Sequence, residues 1–151
     1  LRPRGVSAQQ VLQAGRRLGE AGSELGVTII RGITGGGGDW REHILSTAKI
    51  SNEMKPRHLS AMTFAPAKGT PLGDDVLAGR FKVCSPDHIL EECRLLIEHL
   101  DVDPLHFTSH HASNYLPPKG SLPEDREKFL SLIDQALAGK IRLRKTLNRG
   151  I

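Results

Sequence analysis

The chain has 151 residues, of which 38% are hydrophobic and 25% are charged, and its formal net charge is +4. This length fits one domain with one core, which buries about two-thirds of the surface that the unfolded chain exposes. No apolar run approaches the roughly 18 residues of a membrane span, and no signal-peptide pattern opens the chain, so we expect a soluble, cytoplasmic protein with no membrane partner.

Two helices are predicted in the first half of the chain from their N-terminal caps. Ser7 followed by Gln10 is a capping-box pattern, and the apolar spacing after it predicts a helix that ends near Gly22. Asp39 repeats the cap pattern and predicts a second helix over residues 40–54.

Three short stretches are typical of buried strands. GVTIIRGI, residues 26–33, is β-branched and bounded by glycines, and RHLSAMTFA, residues 57–65, has a similar character. PLHFTS, residues 104–109, is a third candidate, although it is short and carries His106.

Further helices are predicted in the second half. A short helical piece is expected near residues 74–78. Ser85 with Pro86 marks a helix start, because proline at the first helical position loses no useful donor. Pro123 predicts the start of a final amphipathic helix that ends at Gly139.

This order of elements predicts an α/β fold with parallel strands. In such folds the working residues come from loops at the carboxyl ends of the strands. Three loops qualify, namely residues 34–39, 66–74 and 109–120.

The last of these loops, within FTSHHASNYLPPKG, is unusually rich in polar groups. His106, His110 and His111 suggest a metal site, but adjacent side chains in an extended segment point to opposite sides. We therefore favour a hydrogen-bonded loop, with Ser113 and Asn114 capping backbone groups, over a metal site. No metal is assigned to the chain.

Two other segments leave alternatives open. The glycine-rich turn TGGGGD, residues 34–39, is either a ligand-facing loop at a helix N-terminus or a flexible turn. The segment 140–151 contains five Lys or Arg and no acid, which permits nucleic-acid binding, although it lacks aromatic residues and a recognition motif. We rank nucleic acid below a small molecule as a partner.

Several longer stretches resemble one known family. VTIIRGITGG, WREHILSTAKI, PAKGTPL and RFKVCSPDHILEECRLLIEHLDVD are followed by SHHASNYLPPKGSLPEDREKFLSLIDQAL. Together they resemble the C-terminal half of a radical S-adenosylmethionine protein of the bacterial subgroup related to Elp3-like and coproporphyrinogen-dehydrogenase-like enzymes. The segment SHHASNYLPPKGSLPEDR is the most specific part of this likeness, which extends from about residue 6 to residue 138.

The resemblance implies a partial (β/α) barrel over about residues 6–110 and a C-terminal extension over about residues 111–151, within a single domain 1–151. It also implies S-adenosylmethionine as the cofactor, together with a [4Fe–4S] cluster in the parent family. The cofactor contacts that it implies are Ile30, Gly32, Ile33, Gly35, Met62, Phe64 and Pro66. Residues implied beside the active site are Ser109, His110, His111, Ser113 and Asn114.

The chain departs from that family at the cluster. The family binds its cluster through a CxxxCxxC loop, whereas this chain has only Cys84 and Cys93. We therefore expect no cluster on this chain alone and no catalytic activity from it alone. Arg31 is a second departure, because it lies in a strand expected to be apolar; it either pairs with a carboxylate or marks a rebuilt environment beside the cofactor turn.

Two hypotheses follow. The first is the C-terminal portion of a radical S-adenosylmethionine iron–sulfur protein, present as a fragment or as the product of a truncated gene. The second is a stand-alone, non-catalytic α/β binding or oligomerisation module. In either case the expected partner is the missing N-terminal half or a second copy, bound through unpaired strand edges.

Overall fold

The computed structural model describes residues 5–144, which form a mixed α/β fold, as the pattern of elements predicts, with five helices and four strands. The helices are α1 (Ala8–Glu20), α2 (Trp40–Met54), α3 (Pro71–Leu77), α4 (Pro86–His99) and α5 (Arg126–Leu137). The strands are β1 (Gly26–Arg31), β2 (His58–Thr63), β3 (Leu105–Thr108) and β4 (Lys119–Leu122).

The four strands form one open, mostly parallel sheet in the order β1-β2-β3-β4. The three predicted strands are parallel to one another, whereas β4 runs antiparallel to β3. Strand β4 was not predicted, because its sequence KGSL carries one large apolar side chain and no alternation. It is held by backbone pairing, with Gly120 opposite Phe107.

The predicted caps begin three of the helices. Ser7 and Gln10 form a reciprocal capping box at α1. The Asp39 side chain accepts from the third residue of α2, and the Ser85 side chain does the same at α4. Helix α2 ends at Lys55, which is left-handed with a φ of 49°.

Two helix starts differ from the prediction. Helix α3 begins at Pro71, ahead of the expected residues 74–78, because Thr70 caps it. Helix α5 begins at Arg126 instead of Pro123. Helix α5 begins later in the chain than predicted because the Asp125 carboxylate accepts the backbone N–H of Ser121 at 3.0 Å, which closes a turn before the helix. That hydrogen bond lowers the pKa of Asp125.

The core lies between one face of the sheet and helices α2, α4 and α5. Alternate residues of β2 and β3 point into it, as the burial patterns of these strands show. The largest core side chains are Ile44, Leu59, Leu90, Leu96, Ile97, Leu105, Phe107, Leu122, Phe129 and Ile133.

The opposite face of the sheet lies at the protein surface. Thr28 and Ile30 of β1, His58 of β2 and His106 of β3 are all exposed there. The sheet therefore has one packed face and one open face, with β1 at its outer edge.

Helix α5 is tied to the C-terminal end of α4 by one side chain. The Arg126 guanidinium donates to the carbonyl oxygens of Ile97 and Leu100, both at 2.6 Å. These carbonyls lie where a helix leaves its last acceptors without intrahelical donors, so a cation is well placed there.

Among residues 5–144, no helix has both the length and the apolar character that crossing a membrane requires.

Candidate ligand site at the carboxyl ends of the strands

Arg31, the last residue of β1, is buried with 2% of its surface exposed. Its Nη2 donates to Ser109 Oγ and to Asn114 Oδ1, both at 2.8 Å. These partners are neutral oxygens, so the expected pairing with a carboxylate is not what these hydrogen bonds show. Charge-assisted hydrogen bonds of this kind offset part of the cost of burying a guanidinium.

Asn114 lies at the centre of this polar cluster and is fully buried. Its Oδ1 also accepts from the Thr63 hydroxyl at 2.8 Å. Its Nδ2 donates to the carbonyl oxygens of Ala61 and Ser109, both at 2.8 Å. One amide thus joins β1 through Arg31, β2 through Ala61 and Thr63, and the loop after β3.

Ser113 and His111 form the outer part of the same loop. The Ser113 hydroxyl accepts the backbone N–H of Thr63 at 3.1 Å and lies 2.9 Å from His111 Nδ1. The backbone N–H of Ser113 donates to that same Nδ1 at 3.1 Å. His110 is exposed, and its N–H donates to the Thr108 hydroxyl. The predicted hydrogen-bonded loop is therefore present.

A groove of about 750 Å³ runs along the carboxyl ends of β1 and β2. This volume is in the range of small-molecule and cofactor sites. Four of the residues expected to contact a cofactor line it, together with two from the loop after β3: Ile30, Ile33, Met62, Phe64, His111 and Ser113. Helices α2 and α3 add His43, Thr47 and Leu72 to its wall.

The other three expected contacts lie elsewhere. Gly32 is buried, and its N–H already donates to the Glu92 carboxylate at 2.7 Å. Gly35 is buried, and a Cβ there would meet the carbonyl oxygen of Lys82 at 3.0 Å. Both glycines have positive φ and close approaches of this kind, so they serve the packing of the turn. Pro66 is exposed and does not line the groove.

A cluster that the sequence analysis missed lies on the other side of that turn. Cys84, His88 and Glu92 each place one donor atom within 4.8 Å of the other two. The available signal was the spacing Cys-x₃-His-x₃-Glu across a helix start, because residues four apart share a helix face.

Both cysteines are buried thiols with free sulfurs. Burial, followed by the nearby Glu92 carboxylate, raises the pKa of Cys84 to about 11. Burial also raises the pKa of Cys93, while Arg31 acts in the opposite direction. Both side chains are therefore protonated thiols at neutral pH.

The three histidines considered as a metal site are not gathered in one place. His106 lies on the open face of the sheet, where its ring stacks on His58 with centroids 5.1 Å apart. Its Nδ1 is 3.2 Å from the Ser121 hydroxyl. Within residues 5–144, the group of three possible ligands that comes together is Cys84, His88 and Glu92.

The basic segment 140–151 falls largely outside the described residues, which end at residue 144. Its expected role in binding nucleic acid stays a prediction.

No family model, curated protein or solved structure matches the chain. Its function is therefore inferred from the groove, the polar cluster beside it and the sequence likeness.

Proposed function

We propose that the chain is the C-terminal part of a radical S-adenosylmethionine protein and that the groove beside β1 holds the adenosyl end of S-adenosylmethionine. The fold proposed with it is a partial (β/α) barrel. Three parallel strands with an open face support that proposal, because in a barrel the uncovered face of the sheet would line the interior.

The observation that carries the proposal is the convergence of four expected contacts on one groove. Ile30 and Met62 belong to neighbouring strands, while Ile33 and Phe64 directly follow those strands. The groove lies at the carboxyl ends of parallel strands, where α/β folds bind ligands. Its apolar walls suit a flat nucleobase, and the hydroxyl and imidazole groups of Ser113 and His111 lie in the same lining.

Contacts within the protein also fix the residues that line the groove. The Phe64 N–H donates to the Arg31 carbonyl oxygen at 2.8 Å, and Phe64 meets Phe81 edge to face with centroids 5.6 Å apart. Met62 pairs with Ile30 across the sheet. A site whose walls are fixed by the sheet loses little conformational entropy when a ligand binds.

The residues of this chain do not fit an iron–sulfur cluster. Its only cysteines, Cys84 and Cys93, are both buried beside α4, and a [4Fe–4S] cluster needs at least three thiolates in this family. Ile30, Ile33, Met62 and Phe64 of this chain would hold and orient the adenosyl end of S-adenosylmethionine, while the cluster that would make it a source of radicals would have to be bound by another segment.

A second candidate is a binding or oligomerisation module without catalysis. The outer edge of β1 and the open face of the sheet favour it, because unpaired strand edges invite association.

Calorimetric titration of the purified chain with S-adenosylmethionine tests the first candidate. We expect saturable 1:1 binding that Met62→Lys weakens at least about tenfold, since an ammonium in the groove repels the sulfonium of the ligand. Leu77→Lys is the matched control, because Leu77 is an apolar side chain that is 75% exposed on α3. Absence of saturable binding, or equal weakening by both variants, contradicts the proposal.

Anaerobic treatment of the same chain with iron and sulfide tests the assignment of the cluster. We expect no cluster chromophore from this chain and a chromophore when a segment with three suitable cysteines is joined to it. A cluster spectrum from this chain alone would contradict the proposal that another segment binds the cluster.

A further inference from the structure

Cys84, His88 and Glu92 form a cluster that the groove does not use. Cys84 lies just before α4, and His88 and Glu92 lie one and two turns further along it, so all three share one side of the helix. The Cys84 Sγ, one ring nitrogen of His88 and one carboxylate oxygen of Glu92 lie within 4.8 Å of one another. A thiol, an imidazole and a carboxylate are the donors that zinc takes in proteins.

Two of these donor atoms are buried and have no hydrogen-bond partner. They are Nε2 of His88 and Oε1 of Glu92, and Glu92 has no exposed surface. The two atoms are 3.2 Å apart, which makes an ion pair when His88 is protonated, yet they do not meet the geometry of a hydrogen bond. A buried carboxylate oxygen without a donor is costly, so a cation that contacts both atoms would stabilise the cluster.

The distance between these two atoms suits a shared cation. With zinc bonds of about 2.0–2.2 Å to nitrogen and oxygen, neighbouring donors of a tetrahedral site lie about 3.3 Å apart. The observed separation of 3.2 Å agrees with this spacing. A zinc bond of about 2.3 Å to sulfur would place Sγ about 3.6 Å from the other two donors, so Cys84, which is within 4.8 Å of them, would have to approach by up to about 1.2 Å.

Both oriented ligands are held by neighbouring groups. The other Glu92 oxygen, Oε2, accepts the Gly32 N–H at 2.7 Å, which leaves Oε1 directed at the cluster. The Trp40 ring lies against the His88 ring with centroids 5.0 Å apart. Such support fixes ligand orientation before the metal arrives. The His88 side chain keeps 17% of its surface exposed, although its Nε2 atom is buried.

We propose that Cys84, His88 and Glu92 bind a divalent cation of the zinc type, with a fourth position open to water or a small ligand. Binding replaces the Sγ–H bond of Cys84 by an Sγ–metal bond, and the proton leaves to solvent. Because Glu92 also holds Gly32, an occupied site fixes the turn after β1 on α4. The three ligand residues do not line the groove, so metal binding does not require S-adenosylmethionine to be bound there.

Cobalt(II) titration of chelator-treated protein tests this proposal, because cobalt reports thiolate ligation through a charge-transfer absorption band. We expect one equivalent to produce that band together with the visible bands of a tetrahedral ion, and zinc to displace it. Cys84→Ser should abolish the thiolate band. Cys93→Ser is the matched control, since Cys93 is the other buried thiol and lies outside the group of ligand atoms, and it should retain the band.

His88→Gln and Glu92→Gln should each weaken zinc binding by more than the roughly 10- to 100-fold that loss of an outer-shell partner causes. Circular dichroism confirms that each variant is folded. If the Glu92→Gln variant does not fold, the zinc affinity of the His88→Gln variant decides the result, because His88 is partly exposed. Cobalt binding without a thiolate band, or a band that survives Cys84→Ser, overturns the proposal. So does the absence of saturable binding, which is the result expected of a simple histidinium–glutamate pair.

Discussion

At the residue scale, the defining feature is one buried amide that makes hydrogen bonds in four directions. Asn114 uses both atoms of its side-chain amide, with Arg31 and Thr63 donating to Oδ1 and two carbonyl oxygens accepting from Nδ2. This position requires a side chain with both a donor and an acceptor, because Arg31 and Thr63 are hydrogen-bond donors whereas the two carbonyl oxygens are acceptors.

Asn114→Ala and Asn114→Asp should both destabilise the protein, by about 3 kcal/mol or more in the free energy of unfolding. Alanine leaves several buried groups without partners, each worth about 1–3 kcal/mol. Aspartate has the same shape but turns an oxygen toward the Ala61 and Ser109 carbonyl oxygens in place of the Nδ2 donor. Urea unfolding followed by circular dichroism measures the change.

The control for this pair is Asn52→Asp. The Asn52 amide also donates to a backbone carbonyl, that of His99, but in a water-exposed position. Loss of this hydrogen bond in Asn52→Asp should lower the free energy of unfolding by about 1 kcal/mol or less. If Asn114→Asp is no more destabilising than Asn52→Asp, the buried network does not have the role assigned to it.

The sequence predicted the type of interaction in this loop and not its partners. Ser113 and Asn114 stand in a segment rich in turn-forming residues, which indicates local capping of backbone groups. That Asn114 reaches Arg31, 83 positions away, depends on the strand order of the sheet, and no local pattern encodes that. The cluster at Cys84 was open to prediction from spacing, but only the structure shows that two of its ligand atoms are buried without hydrogen-bond partners.

At the element scale, α4 and α5 are joined as much by one guanidinium as by their apolar faces. Arg126, the first residue of α5, donates to carbonyl oxygens at the C-terminal end of α4, the residues where backbone acceptors lack intrahelical donors. The planar donor arrangement of arginine reaches two carbonyls at once, which a lysine ammonium does not reproduce.

Arg126→Met should lower the free energy of unfolding by about 1.5–3 kcal/mol, the range for hydrogen bonds to charged groups. Lys128→Met provides the comparison on the same helix, because the Lys128 side chain is 72% exposed and pairs with Asp125 at 3.4 Å. That change should stay within about 0.5 kcal/mol of the parent chain. Equal effects of the two substitutions in denaturant unfolding would refute the capping role of Arg126.

Helix caps were the most reliable signal at this scale. Ser7, Asp39 and Ser85 begin helices as predicted, since each cap is a local interaction across three residues. Strand β4 was missed because its pairing with β3 is set across the intervening loop, and Gly120 provides backbone and no side-chain pattern.

At the scale of the whole molecule, the sheet is packed on one side only. Helices α2, α4 and α5 cover one face, and β1 ends the sheet without a further strand among residues 5–144. The order of predicted elements gave the parallel pairing of the first three strands, but it could not tell an open sheet from a closed one.

Association of the chain with itself should therefore occur through β1 and the open face. We expect sedimentation at rising protein concentration to show a dimer, and Ile30→Lys to weaken it at least about tenfold by placing a charge on that face. Leu45→Lys is closely matched, since Leu45 is 40% exposed on α2 and Ile30 is 38% exposed on β1. A strict monomer at high concentration contradicts this prediction.

The hydrogen bonds of the loop after β3 determine where the loops at the carboxyl ends of the strands can accept inserted residues. Asn114 and Ser113 are buried and bonded to two strands, so extra residues between 109 and 114 would break contacts on β1 and β2 together. Residues 66–69, which follow the neighbouring strand β2, are by contrast exposed. Added sequence, such as a reporter tag or a longer specificity loop, is best accommodated there, because tolerance follows backbone burial and bonding and not proximity to the site.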